Sequence, residues 1–259
     1  MVSQSAALVQ RLLIHETIRV KWTHYIFLWL VAVSLQTAAQ TTVRPAPPGQ
    51  TQVSTGLDSA DVITWRPLGQ SDFRGARPPG AFGASSIRPV AVSCAYVATC
   101  PQARIYPVQV PGAESAVAYR AVVEGLSFHA LLSRSCSWWN PNTGVSPAYV
   151  LQHEQLHFDI FEIAARRLNR DLPGLLEVMN IRGPTVQSVV DGAQQHVQTA
   201  LSRTLNETAA RNQKLDMETS FGFEPTRQAG WRMQIRRDLQ ELEQYGAPVE
   251  ELTPTAVGK

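Results

Sequence analysis

An α+β fold, an antiparallel β region followed by three helices, is predicted by three features of this chain. Short β-branched segments cut by Pro and Gly occupy 62–130. A helical apolar period takes over from 146. The two kinds of segment are segregated along the chain rather than alternating, which separates α+β from the parallel α/β folds. The 259 residues fit one domain with tails, and 44% apolar against 17% charged residues is enough for a core without a disorder-like excess of charge. The net charge is +2 and no basic tract stands out, so no nucleic-acid partner is expected.

Residues 1–39 read as an export leader. Arg19 and Lys21 precede an apolar run over 25–35, and Thr37-Ala38-Ala39 supplies small residues for cleavage before Gln40. The run is about half the roughly 20 residues that span a bilayer, so no membrane span is expected after processing. Loss of 1–39 removes three basic residues and one acidic residue and leaves a neutral chain. A secreted or periplasmic location follows as an expectation. Residues 40–61, rich in Pro, Thr, Ser and Gly, read as a flexible linker, and the folded domain is expected over 62–246 with a tail at 247–259.

Strand-like segments fall at 62–65, 87–97, 105–110 and 116–128. Helices are expected at 146–171, 185–219 and 227–245. In the first, Tyr149, His153, Leu156, Ile160, Ala164 and Leu168 lie on one stripe at steps of three or four. Cys94, Cys100 and Cys136 have no zinc-knuckle spacing. Either all three are small buried residues, or Cys94 and Cys100 close a hairpin and leave Cys136 odd.

His153-Glu154-Gln155-Leu156-His157 carries the chemistry. Residues four apart on a helix are separated by about 40° around its axis, so both imidazoles enter the same space, as two ligands of a tetrahedral Zn2+ must. Glu154 leans towards that space and is placed to act as general base on zinc-activated water. The stripe runs on into Ile160, Ala164 and Leu168, so the imidazoles face the interior, where unpartnered polar groups are costly.

A catalytic zinc needs a third protein ligand. Glu162 lies about half a turn from His153 and is expected to form a surface pair with Arg166. Asp159 is also out of phase and reads as a solvated or supporting carboxylate. Asp216 and Glu218 on the second helix are the candidates. They sit two residues apart and point different ways, so one of them at most faces the metal. His196 is a weaker candidate, and His129 reads as a strand-end or core histidine. Trp138 and Trp139 read as anchors ahead of the metal-binding helix rather than as a cleft wall.

The segment 153–160, with its continuation 162–168, resembles the HEQGHFDI signature of a bacterial family of predicted secreted zinc-dependent proteases (domain of unknown function 922). Ile63-Thr64-Trp65 with Ser71-Asp72-Phe73-Arg74-Gly75 is similar to the family's opening element. So are Ser135-Cys136-Ser137-Trp138 before the helix and Gln213 to Thr219 with Gln228 and Trp231 after it. The resemblance spans about 62–245 in the family's order. It implies a small zincin-like metallopeptidase that acts on a peptide or protein substrate. Two departures stand out: Leu156 replaces a Gly between the histidines, and Phe221 stands where the family has a His, with Leu215 in place of a Tyr. If that His is a ligand in the family, Asp216 or Glu218 must serve here. The alternative reading is an inactive zinc-stabilised or partner-binding envelope protein, and the oligomeric state is open.

Overall fold

A computed structural model describes residues 60–78, 90–111 and 118–247, all within one compact unit. The expected leader and most of the expected linker and tail lie outside these residues. The described part is mixed α+β with antiparallel sheets.

Among the described residues eight strands pair into three small sheets: β1 Val62–Thr64, β2 Ala91–Val92, β3 Ala95–Thr99, β4 Arg104–Gln109, β5 Tyr119–Glu124, β6 Phe128–Ser133, β7 Trp138–Trp139 and β8 Arg182–Gly183. Their orders are β1-β6-β3, β2-β7 and β4-β5-β8, with every strand pair antiparallel. β6 is the centre of the first sheet, with Leu132 opposite both Ile63 and Ala95. Both faces of β6 are covered, which is why Phe128 to Leu132 are all buried rather than alternating. The predicted strand at 116–128 is cut in two by Gly125, whose φ of 62° is a left-handed conformation that glycine adopts without a Cβ clash.

Four helices follow among the described residues: α1 Pro147–Arg170, α2 Leu172–Met179, α3 Val186–Glu218 and α4 Pro225–Glu241. α1 starts with Pro at its first position, where the missing N–H costs nothing, and ends with Arg167 and Arg170 against its negative pole. It rests on β6 and β3 on one side and on α3 and α4 on the other. Thr185 caps α3 by accepting the Ser188 amide at 3.1 Å. α2 has no counterpart among the predicted elements; Pro173 and Gly174 mask its short apolar pattern. The last helix begins two residues earlier than predicted and ends at Glu241, with a 3-10 turn at Glu243–Tyr245 in place of its final turn. No described helix is long and apolar enough to cross a membrane.

The core between the helices is Leu156, Ile160, Ile163, Leu215, Trp231, Ile235 and Leu242. Leu156, between the two histidines, is part of this core and 2% exposed. Phe73, Ala91, Trp139 and Val150 form a second cluster, in which Trp139 meets the edge of Phe73 at 5.5 Å. The Trp pair is thus a strand, with Trp139 as an anchor.

Three expectations are corrected. The disulfide joins Cys94 to Cys136, with Cα atoms 5.7 Å apart, and Cys100 is the buried free thiol. Cys94 and Cys100 flank the ends of β3, about 20 Å of extended chain apart, so they cannot close a hairpin. Pairing of β2 with β7 and of β3 with β6 instead draws 94 and 136 together. Likewise Glu162 and Arg166 do pair, at 2.7 Å, but both are buried rather than on the surface. Arg166 also donates to the Leu239 carbonyl and lies over the ring of Trp65, which follows β1, so α4 and Trp65 cover this face of α1. Asp159 is not solvated either. It accepts from the Trp65 indole and from Gln155, both at 2.8 Å, and its burial pushes its pKa up.

Candidate metal centre

α1 and α3 run antiparallel where they meet, so residues four apart on one face those four apart on the other. His153 and His157 of α1 lie opposite Asp216 and Asn212 of α3. The two Nε2 atoms are 3.2 Å apart, and Asp216 Oδ1 is 3.3 Å from the first and 3.1 Å from the second. These three form a group that could hold a metal ion.

The tautomer of His157 follows from its neighbour. Asn212 Nδ2 donates to the Thr208 carbonyl at 2.9 Å, an atom that can only accept. The amide oxygen therefore faces His157 Nδ1 at 2.7 Å, so that nitrogen carries a hydrogen and Nε2 is the one turned inward. On His153, Gln228 Oε1 lies 3.2 Å from Nδ1 while its amide nitrogen donates to Gln152 at 3.0 Å. Gln228 is fully buried, so its orientation is held by packing as well. Each imidazole is thus aimed by an amide behind it, as metal-bound histidines are.

The donor set fits zinc. Tetrahedral ligands at about 2.0–2.2 Å from the ion stand roughly 3.3–3.5 Å from one another, close to the three edges observed here. Nitrogen and carboxylate oxygen are the donors that zinc accepts. Exposure rises across the site, from 8% for the His153 side chain to 16% for His157 and 29% for Asp216, so solvent reaches it from the Asp216 side.

The electrostatics favour a cation. Burial works against a charged imidazole, but the Asp216 carboxylate outweighs it. With Glu154 and the Asn212 acceptor it raises the His157 pKa to about 9. Burial likewise pushes Asp216 up, and the two imidazoles overcome it and hold its pKa far below the usual carboxylate range. Metal uptake at Nε2 must displace a proton and is therefore pH-dependent.

Glu154 is 4% exposed and accepts the Ser93 hydroxyl at 2.7 Å. Ser93 follows β2 and directly precedes Cys94, so the disulfide and the Cys94 amide bond to Ser137 tether the residue that holds this carboxylate. Glu218, the other candidate ligand, faces away: it accepts from the Trp231 indole at 2.9 Å and pairs at 3.8 Å with Lys214. His196 is exposed on α3 and outside the group. His129 is a core histidine, 3% exposed, bonded to Ser127 at 2.9 Å; burial lowers its pKa to about 4.

α3 ends in a turn that packs on the site. Ser220, Phe221 and Gly222 have φ of 50°, 58° and 86°. A Cβ on Gly222 would stand 3.2 Å from the His153 ring, so glycine is required there both for its backbone and for the close approach. The Phe221 amide donates to the Asp216 carbonyl at 2.7 Å. Its side chain is 43% exposed.

Nothing local in the sequence marks Gln228, Ser93 or Gly222 as part of the site. Asn212 left a signal: Thr208, Asn212 and Asp216 are polar at four-residue steps, parallel to the pair on α1. Ser93 left none, because 60 residues separate it from Glu154. Comparison of the chain with family models, with curated proteins and with solved structures finds no match in any of the three.

Proposed function

We propose that this chain is an exported zinc-dependent peptidase with a zincin-like arrangement. The observation that carries the reading is the triangle of His153 Nε2, His157 Nε2 and Asp216 Oδ1, with edges of 3.1–3.3 Å. Three ligands are what a catalytic zinc requires, leaving one coordination position for water or substrate. His153, His157 and Asp216 would hold the ion, which when bound supplies Lewis acidity towards water and a carbonyl oxygen. Asn212 and Gln228 keep both imidazoles aimed. Ser93 holds one oxygen of Glu154, and the other is left to take the proton as water adds to the scissile carbonyl carbon. Glu154 then delivers that proton to the amine as the C–N bond breaks. The Cys94–Cys136 disulfide supports an oxidising compartment, in keeping with the leader-like N-terminus. The family resemblance supports the same reading through its motifs alone.

A non-catalytic zinc-stabilised envelope protein is the second reading, favoured by Phe221 in place of a His and by the engagement of Glu154 with Ser93. One experiment separates the two. The full chain and its Glu154→Gln variant are each assayed for bound zinc and for turnover of a peptide library. Equal zinc in both, with hydrolysis at least about a hundredfold lower in the variant and abolished by chelation in the wild type, is the result expected of a peptidase. Equal turnover in the two would refute the role of Glu154. Zinc without hydrolysis in either would favour the second reading.

A further inference from the structure

Within seven residues after the ligand Asp216 the chain exposes three of its large apolar side chains: Met217 at 63%, Phe221 at 43% and Phe223 at 58%. Leu215, one residue before that ligand, is fully buried, so the helix had a core available to it. Phe221 and Phe223 belong to the turn that follows α3, whereas Met217 lies on the helix's last turn. Ser220 and Phe221 both adopt left-handed φ, which L-residues with side chains disfavour. Hydrogen bonds from the Phe221 amide to the Asp216 carbonyl, the Gly222 amide to Thr219 Oγ1 and the Glu224 amide to the Thr219 carbonyl hold them there. The same turn abuts His153 through Gly222. It therefore borders the metal centre and carries exposed apolar side chains close to it in the chain, with Lys214 and Glu218 paired on the last turns of the same helix.

We infer that Met217, Phe221 and Phe223 form a subsite that receives a large apolar side chain of a peptide, beside the bond presented to the metal centre. This deepens the peptidase reading and rests on it. The size of the patch selects the occupant. At these exposures, side chains of this class offer about 300 Å² together, enough for one or two apolar side chains. A stable interface between protein surfaces needs roughly 800 Å² on each partner, so a second copy of the chain is not the match.

The test reads binding rather than turnover. The full chain carrying Glu154→Gln, with equimolar zinc, is titrated against two fluorescein-labelled peptides that differ only in a central Phe or Ser, and anisotropy is followed. The Phe peptide is expected to bind at least about tenfold more tightly. Adding Phe221→Asn and Phe223→Ser is expected to abolish that preference while leaving zinc content and melting temperature unchanged; Asn suits the left-handed position, so the turn is retained. Equal affinities for the two peptides, no binding of either, or a preference that survives the double substitution would overturn the inference. Failure of the wild type to hydrolyse any peptide would instead count against the peptidase reading, while the anisotropy still decides the subsite.

Discussion

Replacing Asn212 with Ala is expected to weaken zinc binding ten- to a hundredfold without touching a ligand. The Asn212 amide oxygen accepts from His157 Nδ1 at 2.7 Å, and its own orientation is locked by the Thr208 carbonyl. Removing it frees the imidazole to rotate or to change tautomer, which withdraws Nε2 from the site. Losing such a partner typically costs a factor of about 10–100 in metal affinity, or roughly 1.4–2.7 kcal/mol. The Thr208 carbonyl keeps its place in the helix ladder, so the fold is expected to survive. Zinc affinity is measured by competition with a chromophoric chelator, with circular dichroism as the control for folding. Asn212→Asp supplies the internal check, because a carboxylate accepts the same hydrogen and should retain affinity. Equal zinc affinity in wild type and Asn212→Ala, both folded, would refute the argument that His157 is aimed from α3.

The remaining predictions concern stability. His129 titrates near 4 when folded against 6.5 for the ordinary group, so between these values the unfolded chain binds more protons. Its contribution is complete above pH 6.5 and is lost as pH falls towards 4, by an amount on the order of 3 kcal/mol. His129→Gln is expected to flatten urea-unfolding stability over pH 4–6.5, and an unchanged slope would exclude His129 as its source. Reduction of the Cys94–Cys136 disulfide reopens a loop with a sequence separation of 42, worth about 4 kcal/mol by chain entropy. Urea unfolding with and without reductant is expected to show a loss of this order, absent from the Cys94→Ser, Cys136→Ser double variant; identical midpoints for the wild type would contradict it.

Legibility of the chain depended on the range of each interaction. α1 and α3 were readable because helical periodicity and capping are local, and the predicted 146–171 and 185–219 differ from the observed helices only at their ends. β6 was blurred into its neighbour because a strand buried on both faces shows no alternation. α2 was invisible because a Pro and a Gly interrupt a short segment whose packing against α3 decides its structure.

At the site, the sequence by itself determined the pair His153 and His157 and the position of Glu154 between them, since an i, i+4 spacing places two side chains together on any helix. It also offered Asp216 and Glu218 for the third ligand, of which helical phase lets only one face inward. Tertiary structure alone decided for Asp216, by setting α3 antiparallel to α1 and turning Glu218 to the Trp231 indole. Only tertiary structure, too, supplied Asn212, Gln228 and Ser93, and drew Cys94 to Cys136 rather than to Cys100. These are contacts between residues tens of positions apart, and no local rule of spacing encodes which helix faces or which strand ends meet.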